Sequence, residues 1–159
     1  MSIMFNNIQV SKRFLHSDLR QRCPLIFTPQ YDDSRGSLSV LESTALPFAV
    51  QRVFWIHQVP EDAERGGHAH RTCHELLFAL SGSLHITVTD GQEEYTAALD
   101  APCKGLLIPA GIWCKLHDFS QHTTVLCLAS EPYQAEGYIH SFDNYLQFVK
   151  AIEHNSNRL

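Results

Sequence analysis

Residues 75–91 read ELLFALSGSLHITVTDG, and they carry the clearest secondary-structure pattern in the chain. In the second half of this stretch, Leu84, Ile86 and Val88 alternate with polar residues. A period of two predicts a strand with one buried face. The strand runs into Asp90-Gly91, and both of these residues tolerate the positive φ of a tight hairpin turn. The stretch therefore predicts consecutive antiparallel strands.

Similar short apolar runs occur on both sides of this stretch, and turn residues separate nearly all of them. They cover residues 24–29, 36–43, 48–59, 104–111 and 123–130. Many short strands at this spacing are typical of a sandwich or a barrel. We therefore predict an all-β fold.

Only the end of the chain has the periodicity of a helix. Ser141 can cap a helix over residues 141–154, in which Tyr145 lies on an apolar stripe. The chain has 159 residues and no linker rich in Pro, Gly or Ser, so we predict a single domain over 1–159. Residues 1–23 are expected to form an N-terminal arm or an additional edge strand.

The composition excludes several classes of function. With 12 Lys and Arg against 17 Asp and Glu, the net charge is −5 at pH 7. The chain therefore has no excess of positive charge with which to bind a nucleic-acid polymer, although a few arginines could still bind one small anion. No uncharged apolar run approaches the ~18 residues that span a bilayer, and the N-terminus lacks the features of a signal peptide. Five cysteines without a CxxC pair indicate reduced thiols, so we expect a cytoplasmic protein without membrane partners.

The most concentrated chemistry lies in residues 65–75, which read RGGHAHRTCHE. In an extended chain His68 and His70 project from the same face. Two neighbouring imidazoles can bind a metal or act as an acid/base pair. Because the chain has ten histidines, roughly 0.6 His-x-His pairs are expected by chance, and the pair alone is a weak motif. It gains meaning only from the sequence around it.

The sequence around the pair contains two recognisable blocks. The pair is followed by Glu75, and residues 105–114 read GLLIPAGIWC. Together the blocks resemble the signatures of the cupin superfamily, small antiparallel β-barrels with one internal pocket. In metal-binding cupins the two His, the Glu and a His of the second block hold the ion, and this chain has Cys114 at the last position. Cysteine can bind Zn or Fe, so one alternative is a metal-dependent cupin that uses His68, His70, Glu75 and Cys114. We favour a pocket without metal or other cofactor.

Longer strings make the resemblance more specific. In chain order they are DSRGSL (33–38), RVFWI (52–56), RGGHAHR (65–71), HDFS (117–120) and Tyr138-Ile139. Over about residues 24–150 they are similar to the sugar 3,4-ketoisomerases that act on dTDP-4-keto-6-deoxyglucose, a cupin family without metal. The resemblance implies a cupin jelly-roll barrel with a C-terminal α-helix, and an isomerase of deoxysugar and cell-surface polysaccharide biosynthesis. It also implies a dTDP-linked keto-deoxyhexose as substrate, a homodimer that exchanges N-terminal strands, and His68 and His70 as the catalytic bases.

This reaction needs residues of the types that the chain offers. A 3,4-ketoisomerase removes the proton at C3 of a 4-keto sugar and returns one at C4, and histidine suits both transfers because its ordinary pKa is close to neutral. The enediolate formed between the two transfers needs a positive group nearby. Arg35, Arg52 and Arg71 are candidates for that role and for binding the diphosphate, since guanidinium matches phosphate oxygens. The sequence does not divide these roles among them.

Two further residues are candidates for the substrate site. Glu75 can orient a histidine or form an ion pair with Arg71. Trp113 can stack on the thymine base or pack against the barrel. We predict that Glu75 and Trp113 bind substrate, whereas we expect Tyr138 to be structural.

One position departs from the family pattern. Phe54 stands where these isomerases usually have a tyrosine whose hydroxyl assists proton transfer. Phenylalanine offers no hydroxyl, so catalysis would rely on the two histidines and a water, or another hydroxyl would substitute. A non-catalytic nucleotide-sugar-binding cupin is therefore a further alternative, and activity restored by Phe54→Tyr would support it.

Overall fold

The computed structural model describes residues 18–156. Within them the strands are β1 Leu25–Phe27, β2 Gln30–Asp33, β3 Gly36–Ser39, β4 Arg52–His57, β5 Arg65–His70, β6 Glu75–Ser81, β7 Leu84–Thr89, β8 Glu94–Leu99, β9 Lys104–Ile108, β10 Trp113–His117, β11 Thr124–Ala129 and β12 Tyr138–Ile139. The helices are α1 Leu19–Arg22 and α2 Phe142–Ser156, with short 3-10 turns at Ser43–Ala45 and Ala135–Gly137.

The strands form two five-stranded sheets and a separate hairpin. Sheet I has the order β1-β9-β6-β11-β4, sheet II has the order β12-β5-β10-β7-β8, and β2 pairs with β3. From β4 onward, successive strands pass mostly from one sheet to the other, which is the topology of a jelly roll. The predicted all-β, cupin-like jelly roll is therefore confirmed.

The main core lies between the two sheets. On β7 the side chains of Leu84, Ile86 and Val88 are buried. They belong to one cluster with Leu77 and Ala79 of β6, in the opposite sheet. The alternating pattern therefore determines the inward face of β7, as predicted.

The hairpin predicted at Asp90-Gly91 is present. Gly91 has a φ of +92°, and the Asp90 carboxylate accepts hydrogen bonds from the N–H groups of Gln92 and Glu93 at 2.9 and 2.8 Å. The turn joins β7 to β8, which pair directly with each other. The local sequence thus determines this part of sheet II.

Helix α2 covers the outer face of sheet II. Tyr145 is fully buried, and its hydroxyl donates to the carbonyl oxygen of Thr89 at 2.8 Å and lies 3.0 Å from that of Gly111. Ser141 Oγ accepts a hydrogen bond from the N–H of Asn144 at 3.4 Å, as expected of a helix cap. The predicted C-terminal helix is therefore present, and Tyr145 anchors it to the barrel.

The outer side of sheet I is covered only in part. Leu76 and Phe78 of β6 are buried there against residues 41–50. Toward the edge strand β4 this cover ends, and Val53 and Trp55 are 51 % and 63 % exposed. The outer surface of β4 is therefore apolar and open.

Residues 1–17 lie outside the described part of the chain. Of the segment 1–23, predicted as an arm or an edge strand, the described part forms one helical turn, α1, and Leu19 and Cys23 are buried in the main core. The neighbouring strand β1 pairs with β9 at the edge of sheet I. Among the described residues, no helix is long and apolar enough to cross a membrane.

Candidate active site

Two glycines at the start of β5 determine how its histidines are placed. The register between β5 and β10 shifts between Cys114 and Lys115, which leaves Gly67 as an extra residue on β5. Gly66 and Gly67 have φ values of +77° and +67°, a region that residues with a Cβ rarely occupy. Such a bulge re-aims the side chains that follow it. Here the next residue is His68.

His68 and His70 both face the interior of the barrel. Their ring centroids lie 5.0 Å apart, with an interplanar angle of 87°. His70 is buried, His68 is partly buried, and Ala69 between them packs on the opposite side, toward α2. The common face predicted for the two histidines is therefore confirmed.

Glu75 and Arg52 form the charged part of the cluster. Glu75 Oε1 lies 3.2 Å from His70 Nε2 and 3.5 Å from Arg52 Nη2. The glutamate thus lies between an imidazole and the Arg52 guanidinium, and Arg71 is not its partner. The contact with His70 is not aligned for a hydrogen bond, and His70 Nε2 and Arg52 Nε are buried without a hydrogen-bond partner. Both atoms are therefore free to bind a polar group in the cleft.

Tyr138 adds a phenol to the cluster from β12. It is the backbone partner of His70 in sheet II, and its ring centroid lies 4.3 Å from that of His70 and 5.1 Å from that of His68. A cleft at this end of the barrel is lined by His70, Arg52 and Tyr138, together with Glu131. The sequence predicts a structural role for Tyr138. It gives no sign of the contact with the histidines, because a two-residue strand carries no local signal of the residue that it pairs with.

Burial changes the proton affinity of two groups in the cluster. Loss of solvent lowers the pKa of His68 below its usual 6.5, His70 acts in the same direction, and the Glu75 carboxylate acts against them. His68 is therefore mostly neutral at pH 7 and able to accept a proton. Burial raises the pKa of Tyr138 above its usual 10.0, against the influence of Arg52. Its hydroxyl therefore keeps its proton at neutral pH and can donate it.

The structure separates the three arginines that the sequence left equivalent. Arg52 lies in the cluster, as described above. Arg35 is 88 % exposed on the β2–β3 hairpin, where it pairs with Asp33. Arg71 points toward α2, with its guanidinium carbon 5.3 Å from the centroid of the Phe148 ring. Of the three, Arg52 is placed to act on a group bound beside the histidines.

Trp113 lies on the outer face of sheet II and not in the cluster. Its ring centroid is 5.1 Å from that of Phe142 and 5.5 Å from that of Tyr145, both on α2. The next residue on β10, Cys114, packs in the core between the sheets. Because strand side chains alternate, Trp113 must point the other way, and its contacts are those of a packing residue.

His68, His70 and Glu75 also form a group that could hold a metal ion. One ligand atom of each lies within 4.8 Å of the other two, and two His with one Glu are a known ligand set for Zn²⁺. Cys114, the expected fourth ligand, does not belong to this group; it is buried in the main core, where burial raises the pKa of its thiol well above the usual value. Among the described residues the metal alternative is therefore left with three ligands.

Two antiparallel sheets that enclose a cluster of histidine, glutamate, arginine and tyrosine at one end define a cupin-type protein. Comparisons with known proteins identify the group within this class. The family described as FdtA (WxcM-like, C-terminal) matches residues 21–150. The chain belongs to this family.

Relatives and solved structures of similar sequence are sugar ketoisomerases. The TDP-4-oxo-6-deoxy-alpha-D-glucose-3,4-oxoisomerase of Aneurinibacillus thermoaerophilus is 35 % identical over 121 residues, which are 76 % of this chain and 87 % of that protein. The structure of QdtA, a sugar 3,4-ketoisomerase from Thermoanaerobacterium thermosaccharolyticum in complex with TDP, matches with a TM-score of 0.79 and 34 % identity over 81 % of this chain and 95 % of that one. The WlaRB TDP-quinovose 3,4-ketoisomerase of Campylobacter jejuni matches with a TM-score of 0.76 and 34 % identity over 80 % of this chain and 98 % of that one. The resemblance to this family, first seen in the motifs, is confirmed.

Proposed function

We infer that the chain is a sugar-nucleotide 3,4-ketoisomerase, which converts a TDP-linked 4-keto-6-deoxyhexose to its 3-keto isomer. The inference depends above all on the inward-facing pair His68 and His70, whose rings lie 5.0 Å apart, in a chain of this family. The relatives described above are named as isomerases of TDP-4-oxo-6-deoxyglucose and TDP-quinovose. We propose a substrate of the same class for this chain.

The cluster offers the groups that both proton transfers need. A base removes the proton at C3, the electron pair of that bond forms C3=C4, and the C4 carbonyl becomes an enediolate oxygen. A proton then returns to C4, while the C3 hydroxyl loses its proton and becomes the new carbonyl. C4 is reduced and C3 is oxidised, so the reaction requires no external oxidant or reductant.

The surroundings of the two histidines suit them to different parts of this work. His68 has a lowered pKa, mainly because of its burial, which suits it to accept the proton from C3. His70 lies 3.2 Å from the Glu75 carboxylate, which holds the imidazole in one orientation beside His68. We assign to His70 the return of a proton to the sugar.

Arg52 is our candidate for the group that stabilises the enediolate. Its guanidinium lies against the rings of Phe54 and Tyr133, at 5.0 and 5.7 Å from their centroids. Although Arg52 makes these contacts and also lies beside Glu75, its buried Nε has no hydrogen-bond partner. A fixed positive group beside a developing oxyanion lowers the barrier of such a reaction. Arg35 and Arg71 would then bind only the diphosphate, and Trp113 would keep the packing role that its contacts with α2 indicate.

We further propose that the chain acts as a homodimer. Val53, Trp55 and Leu80 expose apolar surface on the outer side of sheet I, at 51 %, 63 % and 46 %. Apolar patches of this kind commonly mark interfaces, and a twofold axis would cover the same patch on both copies. The exchange of N-terminal strands implied by the resemblance would involve residues outside the described part of the chain. A cytoplasmic location and a role in polysaccharide biosynthesis stay predictions.

The test is the isomerisation of TDP-4-keto-6-deoxyglucose by the purified chain, followed by NMR. We expect a 3-keto product, and the spectrum also gives its configuration at C4. His68→Asn and His70→Asn should each lower kcat by about 10²–10⁴-fold, because each removes a proton carrier. His57→Asn, on the exposed end of β4, is the matched control and should keep the wild-type rate. Undiminished turnover in the double variant would contradict the mechanism.

The same assay separates the enzyme from a non-catalytic binder. A binder would hold TDP tightly but produce no 3-keto sugar, and Phe54→Tyr would then restore turnover. Family membership and the inward-facing pair His68 and His70 favour the enzyme. Wild-type turnover would exclude the binder.

A metal-dependent cupin is the second candidate function, because His68, His70 and Glu75 lie close enough to share an ion. Elemental analysis of protein purified without added metal decides between the two. Stoichiometric Fe, Zn or Mn, together with loss of turnover on chelation, would favour the metal enzyme. Full turnover by metal-free protein would exclude it.

A further inference from the structure

Tyr138 is the residue of the cluster that the proposed mechanism has not yet used. It is the backbone partner of His70, and its ring contacts both histidines, at 4.3 Å from His70 and 5.1 Å from His68 between centroids. Of the described residues that line the cleft, Tyr138 alone carries a hydroxyl group. Tyr138 therefore lies beside both histidines at the cleft.

Contacts on several sides hold the ring of Tyr138 in place. His140 stacks on it with an interplanar angle of 6° at 5.4 Å, and Tyr133 packs at 5.6 Å between centroids. Arg52 lines the same cleft as Tyr138. A ring fixed by stacking loses little conformational entropy when substrate binds, which favours precise proton transfer.

The reaction moves protons on oxygen as well as on carbon. The C4 oxygen gains a proton when the carbonyl becomes a hydroxyl, and the C3 oxygen loses one when the hydroxyl becomes a carbonyl. The two histidines account for the protons on carbon, so the protons on oxygen require a further carrier. Phe54 cannot supply it, because its ring has no hydroxyl.

We propose that Tyr138 is a further catalytic residue, whose hydroxyl carries the protons on oxygen. As the C3–H bond breaks, the phenol O–H donates its proton to the C4 oxygen, and a phenolate beside Arg52 remains. As C4 gains its proton, the C3 hydroxyl returns a proton to the phenolate and becomes the carbonyl. The tyrosine ends the cycle protonated. Exchange with solvent removes the proton that His68 took from C3 and restores the one that His70 gave to C4, so protons and electrons balance.

This proposal rests on the ketoisomerase function. Tyr138 on β12 would supply the hydroxyl that Phe54 on β4 does not have. The phenol reaches the histidines from sheet II, whereas Phe54 belongs to sheet I. The two positions are far apart in sequence but share one neighbour, since Arg52 contacts the Phe54 ring and lines the cleft together with Tyr138. The same chemistry can therefore be supplied from the opposite sheet.

The test is Tyr138→Phe, which removes one oxygen and keeps the stacked ring. We expect kcat for TDP-4-keto-6-deoxyglucose to fall by about 100-fold, with KM and the affinity for TDP unchanged within about twofold. Exchange of the C3 proton of the remaining substrate for deuterium in D₂O should slow with kcat, because the enediol forms less readily. Thermal unfolding of the variant should match that of wild type, since the ring contacts remain.

Tyr31→Phe is the matched control, because it removes a hydroxyl from an exposed ring on β2, outside the cluster, and it should turn over normally. Tyr138→Phe with a kcat within about threefold of wild type would overturn the role of Tyr138 and leave the ketoisomerase function intact. A fall in kcat that comes with an equal loss of TDP affinity would overturn it too, since the tyrosine would then act in binding. A wild-type chain that does not isomerise the sugar would instead contradict the proposed function itself.

Discussion

The proton affinity of His68 depends on neighbours whose effects differ in sign. Burial and His70 lower its pKa, whereas Glu75 raises it, and the net result lies below the usual 6.5. The neutral imidazole therefore persists at pH values where an exposed histidine is already half protonated. As the pH falls through this pKa, His68 gains a proton and can no longer accept one from C3.

We therefore expect the acid limb of kcat/KM against pH to have its midpoint below 6.5. Glu75→Gln removes the carboxylate that raises the pKa of His68, so the midpoint should move to lower pH. Glu64→Gln, on an exposed carboxylate paired with Lys115, should leave the limb in place. A midpoint that stays the same or rises in Glu75→Gln would contradict this electrostatic explanation.

Strand β5 brings both histidines to the interior only because a bulge precedes them. A regular strand would keep the register with β10 that the extra residue Gly67 shifts by one position. A shift of one residue exchanges the two faces of a strand. The two glycines thus connect backbone geometry directly to the placement of the proton carriers.

The two glycines should respond differently to alanine, although both have positive φ. At Gly67 a Cβ would meet no atom within 4 Å, so Gly67→Ala adds only backbone strain, about 1–2 kcal/mol. At Gly66 the Cβ would lie 2.9 Å from the Cys114 carbonyl oxygen, and β5 must move away from β10. We expect Gly66→Ala to lower the free energy of unfolding in urea, and kcat, more than Gly67→Ala does. Equal losses in the two variants would show that the contact with Cys114 is unimportant.

For the molecule as a whole, prediction from sequence succeeded where the signal is local. Alternation along 84–88 and the capped helix after Ser141 depend on near neighbours, and the common face of His68 and His70 follows from the same alternation. The place of Tyr138 beside the histidines could not be predicted, because it depends on a strand pairing that no local pattern encodes. Which of the three arginines lies in the cluster also depends on how distant strands and loops pack together. The sequence next to each arginine does not encode this packing.

The assembly of two copies depends on the exposed surface of sheet I. Trp55 is 63 % exposed on β4, at the edge strand that carries Arg52 on its inner side. An interface there would shield β4 from further strand pairing and would hold Arg52 at the cleft. Dimerisation and the site would then share one strand, so that loss of the interface should also lower activity.

We expect the wild-type chain to sediment as a dimer, and Trp55→Lys to sediment as a monomer with reduced kcat/KM. A lysine at the centre of the patch would have to be buried without a partner, which is strongly unfavourable. Ile152→Lys is the control: this side chain is 37 % exposed, on α2, which covers sheet II, and its substitution should leave the dimer intact. A monomeric wild type, or a Trp55→Lys variant that remains dimeric, would contradict this interface. A monomer with full activity would instead show that β4 holds Arg52 without help from a second copy.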